Sequence, residues 1–264
     1  MSEKGLKEFH SDEEFPENYE ILEKIKSPLN VLWYNVNSIF PDNYPAKMPQ
    51  DFARDMILFY SKKGDTVFDG FNGSGTVPRI ANKLGRIGIG TDVNPKAIKL
   101  SQDHDPSNAD RYWQSDLKKV NLDKKVDLIL TSPPFGISIA GDKNNYSDEV
   151  DDLSNSKSIE EFLEKIRPCF QSYFDNLKPN GILIFDARDR TKDSKYYDLS
   201  VIFRNMCLEI GFKVHAKFFY FLMPYRLYTY KNHDNKQIMP NVSTMDVYCL
   251  YKGDDQKLEN FNAV

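Results

Sequence analysis

Two short stretches of this chain carry residue types that can do chemistry. The first is Asp69-Gly70-Phe71-Asn72-Gly73-Ser74-Gly75-Thr76. Its glycines free the backbone for a tight turn, and an acid stands at the entry. A helix beginning near Gly75 and Thr76 exposes N–H groups that can face an anionic group. The second stretch is Thr131-Ser132-Pro133-Pro134-Phe135. Its two prolines fix φ and remove two N–H donors, which leaves a rigid turn presenting carbonyl oxygens. The Ser132 hydroxyl and the Pro133 carbonyl can both accept hydrogen bonds from one amino group, and Phe135 offers a flat face to a ring. That combination suits a planar base with an exocyclic amine whose lone pair is aimed at an electrophilic methyl. The plainer alternative is that the glycines form an ordinary turn and the prolines merely end a strand.

These stretches need elements to hold them. Thr66, Val67 and Phe68 are β-formers that deliver Asp69. After the glycines, Pro78 fits a helix's first turn, Ile80, Ala81 and Leu84 fall at helical spacing, and Gly85 is a natural stop. A second strand, residues 87 to 91, delivers Asp92, and a carboxylate roughly 20 residues past a glycine turn suits a ribose diol. Counting a GxGxxG pattern from Gly73 puts Pro78 where the third glycine belongs. Without a pyrophosphate pattern, the turn fits a smaller ligand with one carboxylate and one ribose. S-adenosylmethionine is such a ligand.

The rest of the chain supplies alternating strands and helices. Pro49 opens a helix with Phe52, Met56, Ile57 and Tyr60 on one face, and Pro95 starts another through about Gln102. Residues 111 to 116 read as a strand ending at Ser115 and Asp116, and residues 126 to 130 as a strand buried on both faces. A helix is expected from Ile159 to Leu177, kinked at Pro168, then a turn at 178–181 and a strand at 182–186. Residues 187 to 198 form a charged loop, and a helix follows to Glu209. Strands at 213–225 and 242–252 pair as a late hairpin. Such alternation predicts a doubly wound, mostly parallel α/β sheet, whose ligands bind at the carboxyl ends of the strands. Asp69, Asp92, Asp116 and Ser132 therefore belong to one cleft.

The domain expected to hold this cleft spans residues 44 to 253, with a tail at 254–264 and an N-terminal arm at 1–43. The arm carries Trp33, Tyr34 and Phe40, which either pack it onto the domain or cover the pocket. Residues 137–157 read as a mobile loop and 226–241 as a recognition loop. Lys and Arg number 35 against 39 Asp and Glu, a net charge of −4, so bulk charge does not mark a dedicated nucleic-acid binder. Cys169, Cys207 and Cys249 are widely spaced in apolar contexts and read as reduced core residues. Four scattered histidines give no metal constellation. The acidic start, MSEKGLKEFHSDEEF, lacks an apolar signal core, which points to a cytoplasmic protein.

Together the two stretches resemble the amino-methyltransferases of nucleic acids, whose cofactor motif runs close to D-P-F-x-G-S-G-T and whose catalytic motif is S/D/N-P-P-Y/F. Here Gly70 replaces the usual proline, and Ser132 to Phe135 supply the second motif. Tyr44 to Pro49 is similar to the segment that closes over the methionine end of the cofactor, and residues 177 to 189 to the fifth strand and its lead-in. The resemblance covers residues 44 to 225. It implies a seven-stranded sheet of the class I methyltransferase (Rossmann-like) type with a C-terminal antiparallel hairpin, and S-adenosylmethionine as cofactor. It implies that Asp69, Phe71, Gly73, Gly75, Thr76, Lys47 and Met48 surround the methionine moiety, with Asp92 on the ribose and Asp116 near the adenine amine. Ser132, Pro133 and Pro134 would hold the target amine, and Phe135 would stack on the flipped base.

Serine before the prolines is commoner among N(4)-cytosine enzymes, so the expectation is a DNA methyltransferase acting on N(4) of cytosine. N(6)-adenine in DNA and a base in RNA are the alternatives, and a catalytically idle partner subunit is the reading of a different class. Arg188, Arg190, Lys192, Arg226, Lys231 and Lys236 lie on loops that can contact phosphates, with acidic neighbours that also suit plain solvated charge. Family members usually carry a sizeable target-recognition region, which here falls to residues 137–157 and 226–241. Expected partners are therefore DNA or RNA, and a homodimer or a cognate restriction endonuclease. Pro168-Cys169 has the order of the nucleophile of carbon-5 cytosine enzymes, but it sits mid-helix and reads as core. One of Phe218, Phe219, Tyr220 and Phe221 is expected to wall the base pocket.

Overall fold

The computed structural model describes residues 31–35, 44, 47–135, 147–192, 195–223, 229–231, 237–240 and 244–253. In chain order these form β1 (Val31–Asn35), α1 (Gln50–Tyr60), β2 (Thr66–Asp69), α2 (Thr76–Lys83), β3 (Ile87–Asp92), α3 (Pro95–His104), β4 (Tyr112–Gln114) and β5 (Val126–Thr131). There follow α4 (Ile159–Asn176), β6 (Leu177–Ala187), β7 (Arg190–Lys192), β8 (Lys195–Tyr197), α5 (Leu199–Ile210), β9 (Lys213–Met223), β10 (Thr229–Lys231), β11 (Gln237–Pro240) and β12 (Thr244–Tyr251). The main sheet runs β1-β9-β12-β6-β5-β2-β3-β4. Every pairing in it is parallel except those of β12, which is antiparallel to both β9 and β6. The seven expected strands are present, and β1 adds an eighth at the edge. β7 with β8 and β10 with β11 are separate two-stranded ribbons.

The sheet is doubly wound because its central strands are apolar on both faces. Ile129, Leu183 and Phe185 point into a cluster with Phe162, Phe170 and Phe203 of α4 and α5. Their chain neighbours Leu128, Leu130, Ile182 and Ile184 point the other way, against Phe52 and Met56 of α1 and Ile80 of α2. Period-2 alternation thus sends consecutive residues into two cores, each fully buried side chain worth about 1.5–3 kcal/mol. β1 joins the second core through Leu32 and Tyr34.

Three local features depart from the sequence expectation. α4 runs through Pro168 as one helix; Pro168 is exposed, so water can meet the carbonyl that it leaves without a donor. Residues 178–181 do not precede β6 but lie inside it: the register steps from Val126↔Leu177 to Leu128↔Ile182, and Asn180 takes φ 63°. An irregularity there lets β6 bend without losing its partner. Of the stretch 137–157, residues 137–146 lie outside the described residues, while 147–157 pack. Leu153 and Ser154 are buried, and Asp152 accepts from the Ser147 hydroxyl and the Ser154 N–H at 2.7 and 2.9 Å.

The tightest approach of helix to sheet is at Gly88. A Cβ there would collide with the backbone of Pro78, carbonyl oxygen first, so α2 can lie on β3 only over a glycine. Gly88→Ala should cost about 3 kcal/mol, the upper range for overpacking where backbone must yield. Urea unfolding would show this as a lower midpoint at unchanged slope; a stability within 0.5 kcal/mol of wild type, the ordinary scatter of surface changes, would show that α2 does not sit this close.

Candidate active site

The carboxyl ends of β2, β3, β4 and β5 open into one cleft. Asp69 is the last residue of β2 and Asp92 the last of β3; Asp116 follows β4 and Ser132 follows β5. All four line the cleft, with Lys47, Met48, Phe71, Gly73, Thr76, Pro133, Pro134 and Phe135. Gly75 does not line it but sets the turn: its φ is +86°, a left-handed conformation open to glycine, and it caps α2. Among the described residues, the basic residues named from sequence do not line the cleft. Arg188 and Arg190 are half-buried beyond β6, Lys192 and Lys231 are placed by backbone alone on β7 and β10, and Arg226 and Lys236 lie outside the described residues.

A directed set of hydrogen bonds holds the two motifs together. The Thr131 hydroxyl donates to Asp69 Oδ1 at 2.8 Å, and the Phe71 N–H donates to the same oxygen at 3.0 Å. Tyr173 of α4 accepts from the Gly70 N–H at 3.2 Å and lies 2.9 Å from Thr131 Oγ1. Since the threonine has one proton and spends it on Asp69, Tyr173 is the donor to Thr131. Asp92 is held by the glycine turn, its Oδ2 accepting from Gly73 N at 2.8 Å and its Oδ1 from Asn94 N at 2.9 Å. Asp116 Oδ1 accepts from the Lys118 N–H at 3.1 Å, and its Oδ2 pairs with the Lys118 ammonium at 3.3 Å.

The electrostatics select the ligand. Five aspartates line the cleft (residues 69, 92, 116, 151 and 152), and Lys47 is the one basic side chain among the lining residues. Burial pushes the Asp69 carboxyl up to about 7, with the charges of Asp92 and Asp186 adding to the rise and the bonds from Thr131 and Phe71 holding it back. Burial likewise pushes Asp92 up to about 6, against the bonds from Asn94 and Gly73. A pyrophosphate would be repelled here. A cationic ligand with a ribose, such as S-adenosylmethionine, would relieve both carboxylates, and Oδ2 of Asp69 is left as an acceptor because both bonds to that group use Oδ1. The residues present therefore fit that cofactor.

Further residues also line the cleft. Tyr44 lies over the turn, close enough that a Cβ on Gly73 would come within 2.8 Å of its ring. Leu117, Leu153 and Cys169 close the apolar side. Burial pushes the Cys169 thiol up to about 12, so it stays protonated and inert near neutrality. None of Phe218, Phe219, Tyr220 and Phe221 lines the cleft. Tyr220 instead lies behind it, where its hydroxyl donates to Asp186 at 2.6 Å. Asp186 lies next to the end of the buried strand β6, on the same edge as Asp69 and Asp92, the one signal in the sequence that could have drawn attention to it.

The fold, an open parallel sheet with β12 reversed, is that of the class I methyltransferases. A solved structure, TrmN from Thermus thermophilus, superposes with a TM-score of 0.53 at 16% identity, over 79% of this chain and 50% of that one. Residues 3–103 match the family described as DNA methylase. The chain is 34% identical over 114 residues to tRNA (guanine(10)-N2)-dimethyltransferase of Methanothermobacter thermautotrophicus, covering 39% of this chain and 33% of that protein. It is 38% identical over 60 residues to the Type II methyltransferase M.HpaI of Haemophilus parainfluenzae, covering 23% and 19%, and 32% identical over 100 residues to M.BglI of Bacillus subtilis, covering 38% and 28%. These alignments span a third or less of the relatives' lengths. Over these stretches the chain is similar to the DNA methylases and to Type II methyltransferases.

The raised acids make the cofactor-free protein pH-sensitive. A carboxyl raised in the folded state binds its proton more tightly there than in the unfolded chain, so the stability it contributes is full below about pH 4 and is lost as pH rises through about 7. Asp69→Asn should therefore melt progressively higher than wild type from pH 5 to pH 8. A difference in melting temperature that stays flat over that range would show that Asp69 is not held above its ordinary pKa.

Proposed function

We propose that this chain transfers a methyl group from S-adenosylmethionine to an exocyclic amine of a nucleic-acid base, N(4) of cytosine in DNA. The observation that carries this reading is the placement of Ser132 to Phe135 in the cleft that also holds Asp69 and Asp92. When bound, the cofactor supplies an electrophilic methyl that needs no further activation, so the protein's task is positioning and proton management.

The chain's own residues suit that task. Ser132 Oγ and the Pro133 carbonyl can accept the two N–H groups of one amine, fixing its lone pair. The prolines keep that turn rigid, and β5 fixes where it starts. Phe135 packs against the core beside the cleft and offers a ring for stacking. A base inside a duplex cannot reach this depth, so the target would be flipped out. Serine at the head of the motif favours cytosine by resemblance. Relatives whose names state a substrate act on guanine N2 in tRNA and on adenine in DNA, which supports an exocyclic amine as the shared chemistry and keeps an RNA base as the second reading.

Nucleosides digested from DNA and RNA after reaction with labelled cofactor should carry N(4)-methylcytosine from DNA. Label confined to N(6)-methyladenine or to an RNA base would replace that assignment. Ser132→Ala should lower turnover roughly 10- to 100-fold with cofactor affinity nearly unchanged. Phe135→Ala should cost more, since about 1–3 kcal/mol of stacking per base is lost with it. Full activity in both variants would leave residues 131–135 as a strand terminator only.

A further inference from the structure

One buried hydroxyl touches both motifs. Tyr173, in the last turn of α4, is fully buried. Its oxygen accepts the Gly70 N–H at 3.2 Å and lies 2.9 Å from Thr131 Oγ1, whose proton goes to Asp69 Oδ1 at 2.8 Å. Asp69 and Gly70 are consecutive residues, so these bonds close a ring: Gly70 to Tyr173, Tyr173 to Thr131, Thr131 to Asp69, and the chain back to Gly70. Thr131 is the last residue of β5, and Ser132 follows it. Neither Tyr173 nor Thr131 lines the cleft.

The molecule is shaped around this hydroxyl on both sides. The tyrosine ring stands edge-on to Phe68 and Phe71, with centroids 6.0 and 6.2 Å apart, an arrangement that fixes where the hydroxyl points. Residue 70 is cut to fit it: a Cβ there would come 2.8 Å from the Tyr173 hydroxyl and 2.6 Å from Leu117 Cδ1. Gly70 is not among the glycines with positive φ, so the space, and not the backbone angle, calls for glycine. A proline here, the usual residue of the motif this chain resembles, would offer no N–H to the tyrosine and would put a carbon where its hydroxyl stands. Burial and the charge of Asp69 raise the Tyr173 phenol well above its ordinary range, so it keeps the proton that it donates to Thr131.

We propose that Tyr173 is a positioning residue for methyl transfer: by closing this ring, its hydroxyl fixes the Asp69–Gly70 corner of the cofactor site against the root of the Ser-Pro-Pro-Phe turn. This rests on the reading of residues 132–135 as the turn that holds the target amine. Tyr173 touches neither cofactor nor base and acts through Gly70 and Thr131. Each hydroxyl has one proton, so the bonds all run one way and end on a carboxylate, which strengthens the last of them. Opening the ring at any bond frees the corner and the turn from each other. The methyl donor and the amine are then placed separately, and a misplacement of about 1 Å costs on the order of 100-fold in rate.

Tyr173→Phe keeps the packed ring and deletes only the hydroxyl. By calorimetry it should weaken S-adenosylmethionine binding about 3- to 10-fold, the worth of one hydrogen bond. On the nucleic acid that accepts label in the digestion assay, it should lower kcat at saturating cofactor roughly 10- to 100-fold. Thr131→Val should do the same, and the double variant should be little worse than the poorer single one, because a ring is opened only once. Losses that multiply in the double variant would make these independent contacts and overturn the proposal. A merely structural tyrosine would lower the melting temperature and leave kcat at saturating cofactor unchanged, which overturns it equally. Thr131→Ser restores the hydroxyl and should keep kcat within about threefold of wild type. If Tyr173→Phe does not fold, the valine and serine variants decide, and equal activity and affinity in both rule the ring out. Wild-type protein that binds S-adenosylmethionine but methylates no base would sink the proposed function, while the binding measurements on the same variants would still decide the ring.

Discussion

The site depends on one hydrogen-bonded junction, where Thr131, Asp69, Tyr173 and Gly70 meet. It joins the tips of β2 and β5 to the last turn of α4. Each member fixes the next: Tyr173 takes the Gly70 N–H, passes its own proton to Thr131, and Thr131 passes its proton to Asp69. The glycine turn begins at one end of this chain and the Ser-Pro-Pro-Phe turn at the other. Because every group is buried, a broken link would leave a donor or acceptor without water, which is far costlier than the bond is favourable. That asymmetry, more than the strength of any one bond, keeps the two motifs in register.

The cleft built on this junction is under electrostatic tension. Parallel strands gather their carboxyl ends on one edge, and this chain has placed an aspartate on three of them, with Asp186 on a fourth. Burial makes the ionised forms of Asp69, Asp92 and Asp186 expensive, and at Asp69 the charges of the other two add to it. The glycine turn relieves part of this by donating the Gly73 N–H to Asp92. Full relief needs a positive charge between the strands, and Lys118 and Lys119 supply it only for Asp116. Such a cleft suits a cationic ligand.

A second polar path runs on the opposite side of β6. It passes from Asp186 through Tyr220 to the face of Tyr34, then through Asp55 to Arg54. This path gives β1 a purpose beyond extending the sheet. Tyr34 of β1 and Tyr220 of β9 both pack on Phe52, so an edge strand drawn from the aromatic N-terminal stretch helps to hold the hydroxyl that engages Asp186.

Much of this was legible in the residues themselves. Strand–helix alternation, with Gly70, Gly73 and Gly75 after one strand and Pro133 and Pro134 after another, places a ligand site at one sheet edge. That follows because side-chain period and turn chemistry are local properties. Asp69, Asp92 and Asp116 could be named in advance because a parallel sheet forces the ends of its strands together. The strand formed by residues 31–35 was not drawn, since its partner β9 lies almost 190 residues away and no local signal encodes that pairing. The turn at 178–181 was seen, but its absorption into β6 depends on β5 and β12 bonding across it. Tyr173 and Asp186 were passed over for the same reason, and Tyr220 was considered for the base pocket but stands behind it. A buried tyrosine or aspartate becomes part of a site only through what stands opposite it, and the folded chain alone brings Thr131 to Tyr173 and Tyr220 to Asp186. The sequence by itself determined which groups stand at the sheet's edge; the tertiary structure decided which of them touch, because hydrogen bonds between distant residues exist only once the strands that carry them are side by side.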